Sequence, residues 1–430
     1  MIFRKSTSIH ISEHPGHKQL SLFTPPSEYK KPEMVYIPLV EGDPCEAVVA
    51  VGDHVLVGQV VAQRKGRFGL PLHASVSGEV TSISKKMWHA SGMMVNMIEI
   101  KNDFKETLDP SIKPNDVAKL TPSQMIEIVK NCGIVGLGGS GFPTFVKYSS
   151  KCEIHTLIVN AVECEPYLTA DYVLLKQKTD ELIRGIQYAM KMSGASHAYI
   201  CIKQDKVQAI ALLEDHLQDH ISIFPVKDVY PAGWEKYLVQ RVTNQTYKML
   251  PSEVGVVVNN AATLIAMCAA IEENQPLVEK MVTFTGQGLA HPQNVLVKIG
   301  TLANEVIRAI GGYADGVTDA NFIVGGPMTG RTLLFDSVVI HRSLGGIVVM
   351  PKESSAPALP CMGCGKCVEI CPVFLSPVLI KNAVDKKDKD LMIALKADKC
   401  MMCGLCSYIC PSRIELTDAM SKARATVLKR

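Results

Sequence analysis

Two copies of one cysteine spacing near the end of the chain could bind metal clusters. They read CMGCGKCVEICP and CMMCGLCSYICP, and both have the form C-x2-C-x2-C-x3-C-P. In this spacing three thiolates of one copy surround one iron–sulfur cubane, and the fourth points to the neighbouring cubane. We therefore predict two [4Fe–4S] clusters with crossed ligand sets. The first set is Cys361, Cys364, Cys367 and Cys410, and the second is Cys371, Cys400, Cys403 and Cys406.

Zinc and plain buried cysteine are the alternatives for these residues. Zinc sites use C-x2-C pairs that are closed by a second pair or by histidines, whereas the doubled pattern here is typical of two cubanes. Such clusters transfer one electron at a time and carry out no substrate chemistry of their own. The donor or acceptor of the electrons must therefore bind elsewhere on the chain.

A glycine-rich loop, CGIVGLGGSGFPTFVKY at residues 132–148, is a candidate phosphate site. Glycines let backbone amides approach a phosphate closely, and Pro143 can begin a helix whose N-terminus faces the anion. A flexible turn between two helices, the first predicted at 122–131, is the alternative. The residues that would surround the phosphate are Gly136, Gly138, Gly139, Gly141 and Lys147.

An acidic segment, NAVECEPYLTADY at residues 160–172, follows a short apolar strand predicted at 156–159. Residues at strand ends contact ligands in α/β sheets. The amide of Asn160 can pair with the edge of a heterocycle, and the carboxylates of Glu163 and Glu165 can accept hydrogen bonds from ribose or ribityl hydroxyls. Ordinary exposed loop charges are the alternative, and the position directly after a buried strand favours a ligand site.

The composition excludes several classes of protein. The chain has 45 basic and 42 acidic residues, and a formal charge of +3 is too small to suggest a nucleic-acid binder. With 47% hydrophobic residues, its 430 residues predict several globular domains. The most apolar stretch, 254–271, contains polar residues, so we expect no membrane-spanning helix. The first residues lack an apolar signal region, so we expect an intracellular protein.

The elements that position these residues can be predicted from the hydrophobic pattern. Residues 35–100 show short strands separated by glycines, which predicts a small β-sandwich. This module resembles a biotinyl or lipoyl carrier domain, but no lysine lies at the equivalent turn, so we expect a structural role. Residues 375–395 predict one helix between the cysteine motifs, and residues 357–360 predict a linker.

The glycine loop and the segment NAVECEP together resemble the FMN and NADH site of the flavin-carrying subunit of respiratory complex I. The chain is still more similar to the C subunit of the Rnf complex, a membrane-associated ferredoxin:NAD oxidoreductase that couples redox chemistry to ion transport. This resemblance includes PCEAVVAVGDHVLVGQVVA, LHASVSGEV, YPAGWEKYLV, VNNAAT, GGPMTG and the doubled cysteine motif, in that order.

The resemblance implies an FMN site in which the glycine loop holds the phosphate and Asn160, Glu163 and Glu165 line the flavin or the nicotinamide. Trp234 departs from the small residue usual in the family and could narrow the nucleotide cleft. The segment SIHISEHPGHKQL at residues 8–20 lacks the usual glycine pair, which we interpret as surface variation. Further implied contacts are Phe142 as a stacking surface, then Tyr230, Gly233, Glu235, Asn259, Asn260 and Thr263.

The same resemblance implies a multidomain α/β and α+β fold with four domains. They are an N-terminal biotinyl/lipoyl-like β-sandwich (1–112), an α/β FMN- and NADH-binding domain (113–278), a β-grasp module of the SLBB type (279–350) and a ferredoxin-like helical domain with two [4Fe–4S] clusters (351–430).

The implied function is that of an electron-transfer subunit. It would exchange hydride with NAD(H) at FMN and pass single electrons through the clusters, without a general acid or nucleophile. Its partners would be the integral-membrane and iron–sulfur subunits of an Rnf-type complex, with ferredoxin reached indirectly and no nucleic acid. It would lie peripherally at the cytoplasmic face of the cell membrane. The alternatives are a soluble flavin and iron–sulfur reductase serving another acceptor, such as proline reductase or a corrinoid protein, and a relay or scaffold without a nucleotide site.

Overall fold

The structure is a computed structural model that describes residues 9–10, 16–150, 152–352 and 357–428. Within these residues no helix is long and apolar enough to cross a bilayer.

The strands are short, and most belong to four sheets. In chain order they are β1 (Ile9–His10), β2 (Ser27–Tyr29), β3 (Met34–Pro38), β4 (Val40–Glu41), β5 (Asp43–Ala47), β6 (His54–Val55), β7 (Val60–Arg64), β8 (Pro71–His73), β9 (Gly78–Trp88), β10 (Met94–Asn102), β11 (Thr156–Asn160), β12 (His197–Lys203), β13 (Ile221–Val226), β14 (Val229–Tyr230), β15 (Val256–Asn260), β16 (Glu279–Thr285), β17 (Gln293–Lys298), β18 (Ala320–Val324), β19 (Arg331–Leu333) and β20 (Gly346–Pro351).

The α-helices are concentrated in the middle and at the end of the chain. They are α1 (Gln19–Leu22), α2 (Pro122–Asn131), α3 (Thr144–Tyr148), α4 (Ala170–Gln177), α5 (Thr179–Ser193), α6 (Val207–Glu214), α7 (Glu235–Thr243), α8 (Ala261–Glu273), α9 (Ala303–Ala309), α10 (Lys366–Glu369), α11 (Pro377–Asp385), α12 (Lys389–Ala394), α13 (Leu405–Tyr408) and α14 (Leu416–Leu428).

The first unit is the predicted β-sandwich. One sheet has the strand order β3-β10-β9-β6 and the other β4-β5-β7-β8. Their inward side chains form a single buried core that includes Val35, Val61, Leu72 and Ile98. The hairpin between β9 and β10 extends away from this core, and at its end Trp88 forms a β-bridge with Val338.

The second unit is a four-stranded parallel sheet with helices on both faces. Its strand order is β13-β12-β11-β15, and all three pairings are parallel. Alternate residues of β11 point to opposite faces: Leu157 and Val159 pack with α5 and α8, and Ile158 packs with α7. Because both faces are covered, the three central residues of the strand, Leu157, Ile158 and Val159, are all apolar. The order reverses between β11 and β15, and such a switch point is where open α/β sheets bind ligands.

The third unit is a six-stranded mixed sheet of order β19-β18-β20-β16-β17-β2, with α9 packed against it. The edge strand β2 comes from the first 30 residues, which the sequence assigns to the β-sandwich, and it pairs with β17 instead. The fourth unit is helical, with α11, α12 and α14 enclosing a small core.

The helix predicted at 122–131 is confirmed, and Thr121 caps it through a capping box with Gln124. The single helix predicted over 375–395 is wrong. It is divided into α11 and α12 because Lys387 has a φ of +56° and Asp388 caps the second helix by accepting from Leu391 N at 2.9 Å. The charged residues there remain exposed, as expected.

The crossing of α5 and α8 depends on Gly185, and its replacement by alanine tests this packing. A Cβ at this position would lie 2.2 Å from the Leu264 carbonyl oxygen. Overpacking of this kind costs about 1–3 kcal/mol, partly offset by the roughly 1 kcal/mol that alanine gains over glycine in a helix. We expect Gly185→Ala to lower the apparent Tm by about 2–6 °C in calorimetry. Lys191→Ala on the exposed side of α5 is the control, and equal Tm values for the two variants would contradict this packing.

Candidate functional site

A cavity of about 570 Å³ lies at the carboxyl ends of β11 and β15, and we call it the switch-point cavity. Its volume is in the range of about 300–1,000 Å³ that is usual for small-molecule sites. Asn160 and Asn260 end the two strands as register partners, so the sheet places both at the cavity. The predicted residues in the lining are Gly138, Gly139, Asn160, Glu163, Glu165, Tyr230, Gly233 and Asn260.

The glycine loop forms one wall. The amides of Gly138 and Gly139 donate to no acceptor among the described residues. A Cβ at residue 138 would lie 3.1 Å from Asn260 Nδ2, so a side chain here would make a tight contact with Asn260. The loop is tied down by Leu137, whose N–H donates to Thr263 Oγ1 at 2.9 Å and whose carbonyl accepts from Lys280 Nζ at 3.0 Å. The free amides and the fixed loop fit the phosphate of a nucleotide.

The two strand-end asparagines hold neighbouring segments in place. Asn160 Nδ2 donates to Gly233 O at 2.8 Å, which fixes the segment after β14. The side chain of Asn260 accepts from Thr263 N at 3.2 Å and so caps α8, while its Nδ2 donates to Asp171. Both amides therefore position the cavity wall as well as lining it.

Three carboxylates face the cavity from the segment after β11. Glu163 Oε1 accepts from Asp171 N at 2.8 Å, and Glu165 Oε1 accepts from Met328 N at 2.7 Å. Burial raises the pKa of Glu163, Glu165 and Asp171. Burial also lowers the pKa of Lys280, to about 8, and the Asp171 charge opposes this shift. The wall thus buries three carboxylates that accept backbone or side-chain hydrogen bonds, with the Lys280 ammonium group near Asp171.

The cavity also reaches the cysteine-rich unit. Cys403 and Met401 lie in its lining, and the Tyr230 hydroxyl donates to Cys403 O at 2.7 Å. Gly404 lies against the GGPMTG loop at 325–330, since a Cβ there would be 2.3 Å from Met328 O. A predicted cluster ligand therefore stands directly at the wall of the switch-point cavity.

The other predicted flavin contacts lie outside the lining. Lys147 Nζ donates to Val258 O at 2.6 Å, and burial lowers its pKa. Phe142 packs edge-on against Phe68, with ring centroids 5.8 Å apart. The remaining residues support the wall or a neighbouring element: Gly136 and Gly141 close the glycine loop, Thr263 holds Leu137, Glu235 accepts from the Tyr247 hydroxyl, and Asn259 is buried in β15.

Several cavity residues were missed by the sequence analysis. Asp171 lies within the quoted acidic segment, and its place in the first turn of α4 was the available signal. His341, Ser343 and Gly326 come from the third unit, and Ala90 comes from the β9–β10 hairpin. No local pattern connects these distant segments. His341 is neutral there, because burial lowers its pKa to about 3.

The two cysteine motifs have the same backbone conformation. Left-handed residues occur at matching places: Gly363 and Met402 (φ +69° and +58°), Gly365 and Gly404 (+75° and +79°), and Phe374 and Arg413 (+57° and +53°). Each motif then enters a four-residue helix, α10 or α13. The sequence repeat is therefore also a structural repeat.

The four thiols of one predicted ligand set lie close together. Cys371 lies with Cys400, Cys403 and Cys406 around a second cavity, which we call the cysteine cavity. Among the described residues, no three metal-binding side chains converge as around a single ion. In the other predicted set, the charges of Cys364 and Cys410 both raise the pKa of Cys367, so these three thiols lie near one another.

The two groups differ in exposure. Cys403 is 8% exposed, and burial raises its pKa to about 12. Cys361 and Cys364 are exposed. A thiol that binds iron loses its proton, so binding of a cluster would convert the protonated Cys403 thiol to a thiolate. One group therefore lies beside the switch-point cavity, and the other includes exposed cysteines.

Comparison with known proteins identifies three parts of the chain. Residues 8–105 match the RnfC barrel sandwich hybrid domain, residues 129–269 match the Nuo51 FMN-binding domain, and residues 360–414 match the 4Fe-4S dicluster domain. A solved structure of an NAD+-reducing [NiFe]-hydrogenase in the H2-reduced state has a TM-score of 0.51, with 18% identity over 74% of this chain and 64% of that chain. At this identity the likeness concerns the fold alone.

Curated relatives cover most of the chain. It is 36% identical over 379 residues to the C subunit of the Na(+)-translocating ferredoxin:NAD(+) oxidoreductase complex of Acetobacterium woodii, across 85% of each protein. It is 32% identical to the C subunit of the ion-translocating oxidoreductase complex of Rhodobacter capsulatus, across 89% of this chain and 76% of the relative. It is 30% identical to the C subunit of the proton-translocating ferredoxin:NAD(+) oxidoreductase complex of Clostridium ljungdahlii, across 83% and 79%. The chain therefore belongs to the family of C subunits of Rnf-type ion-translocating oxidoreductase complexes.

Proposed function

We propose that this chain is the electron-transfer subunit of an Rnf-type ferredoxin:NAD+ oxidoreductase, which exchanges hydride with NAD(H) at FMN and passes single electrons through two [4Fe–4S] clusters. The observation that carries the proposal is the shared wall: Cys403 and Met401 line both the switch-point cavity and the cysteine cavity. The family and the two domain matches support the cofactors.

The switch-point cavity is the proposed site of FMN. Bound FMN supplies the ability to exchange a hydride pair on one side and single electrons on the other. The amides of Gly138 and Gly139 would bind its phosphate, and Glu163, Glu165 and Tyr230 would line the remainder. Lys147, Phe142 and Glu235 would stabilise the protein around the cavity without contacting FMN. Their side chains contact Val258 O, Phe68 and the Tyr247 hydroxyl, respectively.

The two cysteine groups would act in series. Cys371, Cys400, Cys403 and Cys406 would hold the cluster next to FMN, because Cys403 belongs to both cavity walls. Cys361, Cys364, Cys367 and Cys410 would hold the outer cluster, because Cys361 and Cys364 are exposed and accessible to a redox partner.

The proposed domain division is 1–112, 113–278, 279–350 and 351–430, with the third domain a β-grasp module of the SLBB type and the fourth ferredoxin-like. The main core of each unit supports it, and the core of the second unit also takes in Leu70 and Ile299 from its neighbours. Residues 1–112 also supply strands to other units, because β2 is the edge strand of the third unit and β1 pairs with β14.

The proposed partners are the integral-membrane and iron–sulfur subunits of the complex, which would carry out ion translocation and connect the outer cluster to ferredoxin. The chain would then lie peripherally at the cytoplasmic face of the membrane. The names of the relatives favour this assignment over a soluble reductase with another acceptor.

Anaerobic purification tests the cofactor assignment. We expect one FMN and about eight irons per chain, as two cubanes require, and rapid bleaching of the flavin spectrum by NADH. The measurement combines acid-extracted FMN, iron and sulfide analysis, and stopped-flow absorbance. Clusters without FMN, or bound FMN that NADH never reduces, would contradict the proposal and indicate a relay or scaffold.

Paired alanine variants test the crossed ligand sets. Cys371→Ala with Cys403→Ala should remove one cluster, or about four irons, because both residues would bind the same cubane. Cys367→Ala with Cys403→Ala should remove both clusters. If each motif instead bound its own cubane, Cys371→Ala with Cys367→Ala would be the pair that removes only one. Iron analysis and EPR spectra of the reduced proteins distinguish these patterns.

A further inference from the structure

The segment at residues 16–22, which we call the N-terminal strap, lies across the acidic loop at residues 163–169. Tyr167 N donates to Gly16 O at 2.5 Å, and the His17 ring stacks on the Tyr167 ring with centroids 4.8 Å apart. Ser21 Oγ lies 2.8 Å from Thr169 Oγ1. The glycine pair whose lack we interpret as surface variation would lie directly before His14, among residues 11–15, which are outside the described structure.

Lys18 is the charged residue of the strap that reaches the acidic loop. Its Nζ lies 3.8 Å from Glu163 Oε2 and donates to Leu168 O. The two side chains are 12% and 11% exposed. A buried carboxylate is costly unless it is paired and hydrogen-bonded. Glu163 has one backbone donor, Asp171 N, and Lys18 is its ion-pair partner.

The acidic loop requires such support because its backbone is strained. Glu163 and Tyr167 are non-glycine residues with φ values of +40° and +66°. Such conformations persist only where the surroundings hold them. The strap contacts both residues, through Lys18 and through His17. It therefore holds the part of the loop that brings Glu163 and Glu165 to the switch-point cavity.

Charge balance gives Lys18 a second role. Glu163, Glu165 and Asp171 line the same cavity, where we propose that an anionic nucleotide binds. Glu165 receives two backbone donors, and Asp171 faces Lys280. Without Lys18, Glu163 would lose its ion-pair partner and keep only the weaker attraction of Lys203 and the Asp171 N–H, at a wall that must accept phosphate groups.

We propose that Lys18 is a positioning residue that pairs with Glu163 and neutralises it, so that the switch-point cavity accepts an anionic flavin nucleotide. Lys18 is outside the lining and acts through Glu163. The inference rests on the proposed FMN site.

A double-mutant cycle in the full-length protein with its clusters tests this role. FMN is removed, and its dissociation constant is measured by fluorescence quenching on rebinding. We expect Lys18→Met to weaken FMN binding about tenfold or more in the wild-type background, and by less than about threefold in a Glu163→Gln background, because the charge that needs compensation is gone. Lys18→Arg should bind within about threefold of the wild type. Lys191→Met, on the exposed side of α5, is the control.

The outcomes separate this inference from the proposed function. Equal loss in both backgrounds, or no loss in Lys18→Met, would overturn the role of Lys18 while leaving the FMN site intact. A wild-type protein that never binds FMN would overturn the site itself and the inference with it. If Lys18→Met fails to fold, folding itself, followed by thermal unfolding, becomes the measured quantity. Folding of the double variant Lys18→Met with Glu163→Gln would support the pairing, and failure of the double variant as well would contradict it.

Discussion

The contact between the switch-point cavity and the cysteine-rich unit is the constraint on which the rest of the structure depends. Electron transfer slows steeply with distance, so a site for hydride exchange is useful only beside an electron acceptor. Tyr230 and Cys403 make this contact with a hydrogen bond of 2.7 Å. Gly404 permits it, because any Cβ there would collide with Met328 O. The parallel sheet, the third unit and the cysteine motifs all meet at this one wall.

Buried charge is the second constraint. The cavity wall combines three carboxylates with the nearby ammonium groups of Lys18 and Lys280, and burial shifts the pKa of each of these groups toward its neutral form. Such an arrangement is stable only when each charge has a partner or backbone donors. The distant elements that supply the partners, such as the N-terminal strap, are therefore part of the site.

The sequence predicted what is local and repetitive. The cysteine spacing predicted the grouping of Cys371 with Cys400, Cys403 and Cys406, and the acidic segment predicted carboxylates at the end of β11. The sequence did not predict the direction of individual side chains. Phe142 and Lys147 lie in the glycine loop region, yet their side chains contact Phe68 and Val258 O. Contacts distant in sequence were also missed: Lys18 meets Glu163, and β2 joins β17. These depend on tertiary packing, which no local pattern encodes. Whether the lining residues bind FMN stays a prediction.

Rapid mixing with NADH followed by freeze-quench EPR tests the central claim most directly. The comparison uses Cys403→Ala, which we expect to lack the cluster beside the cavity, and Cys361→Ala, which we expect to lack the outer one. We expect Cys361→Ala to reduce its remaining cluster as fast as the wild type does. We expect Cys403→Ala to reduce FMN while its outer cluster stays oxidised on the same time scale. Reduction of the outer cluster at the wild-type rate in Cys403→Ala would contradict electron transfer from FMN through the cluster beside the cavity.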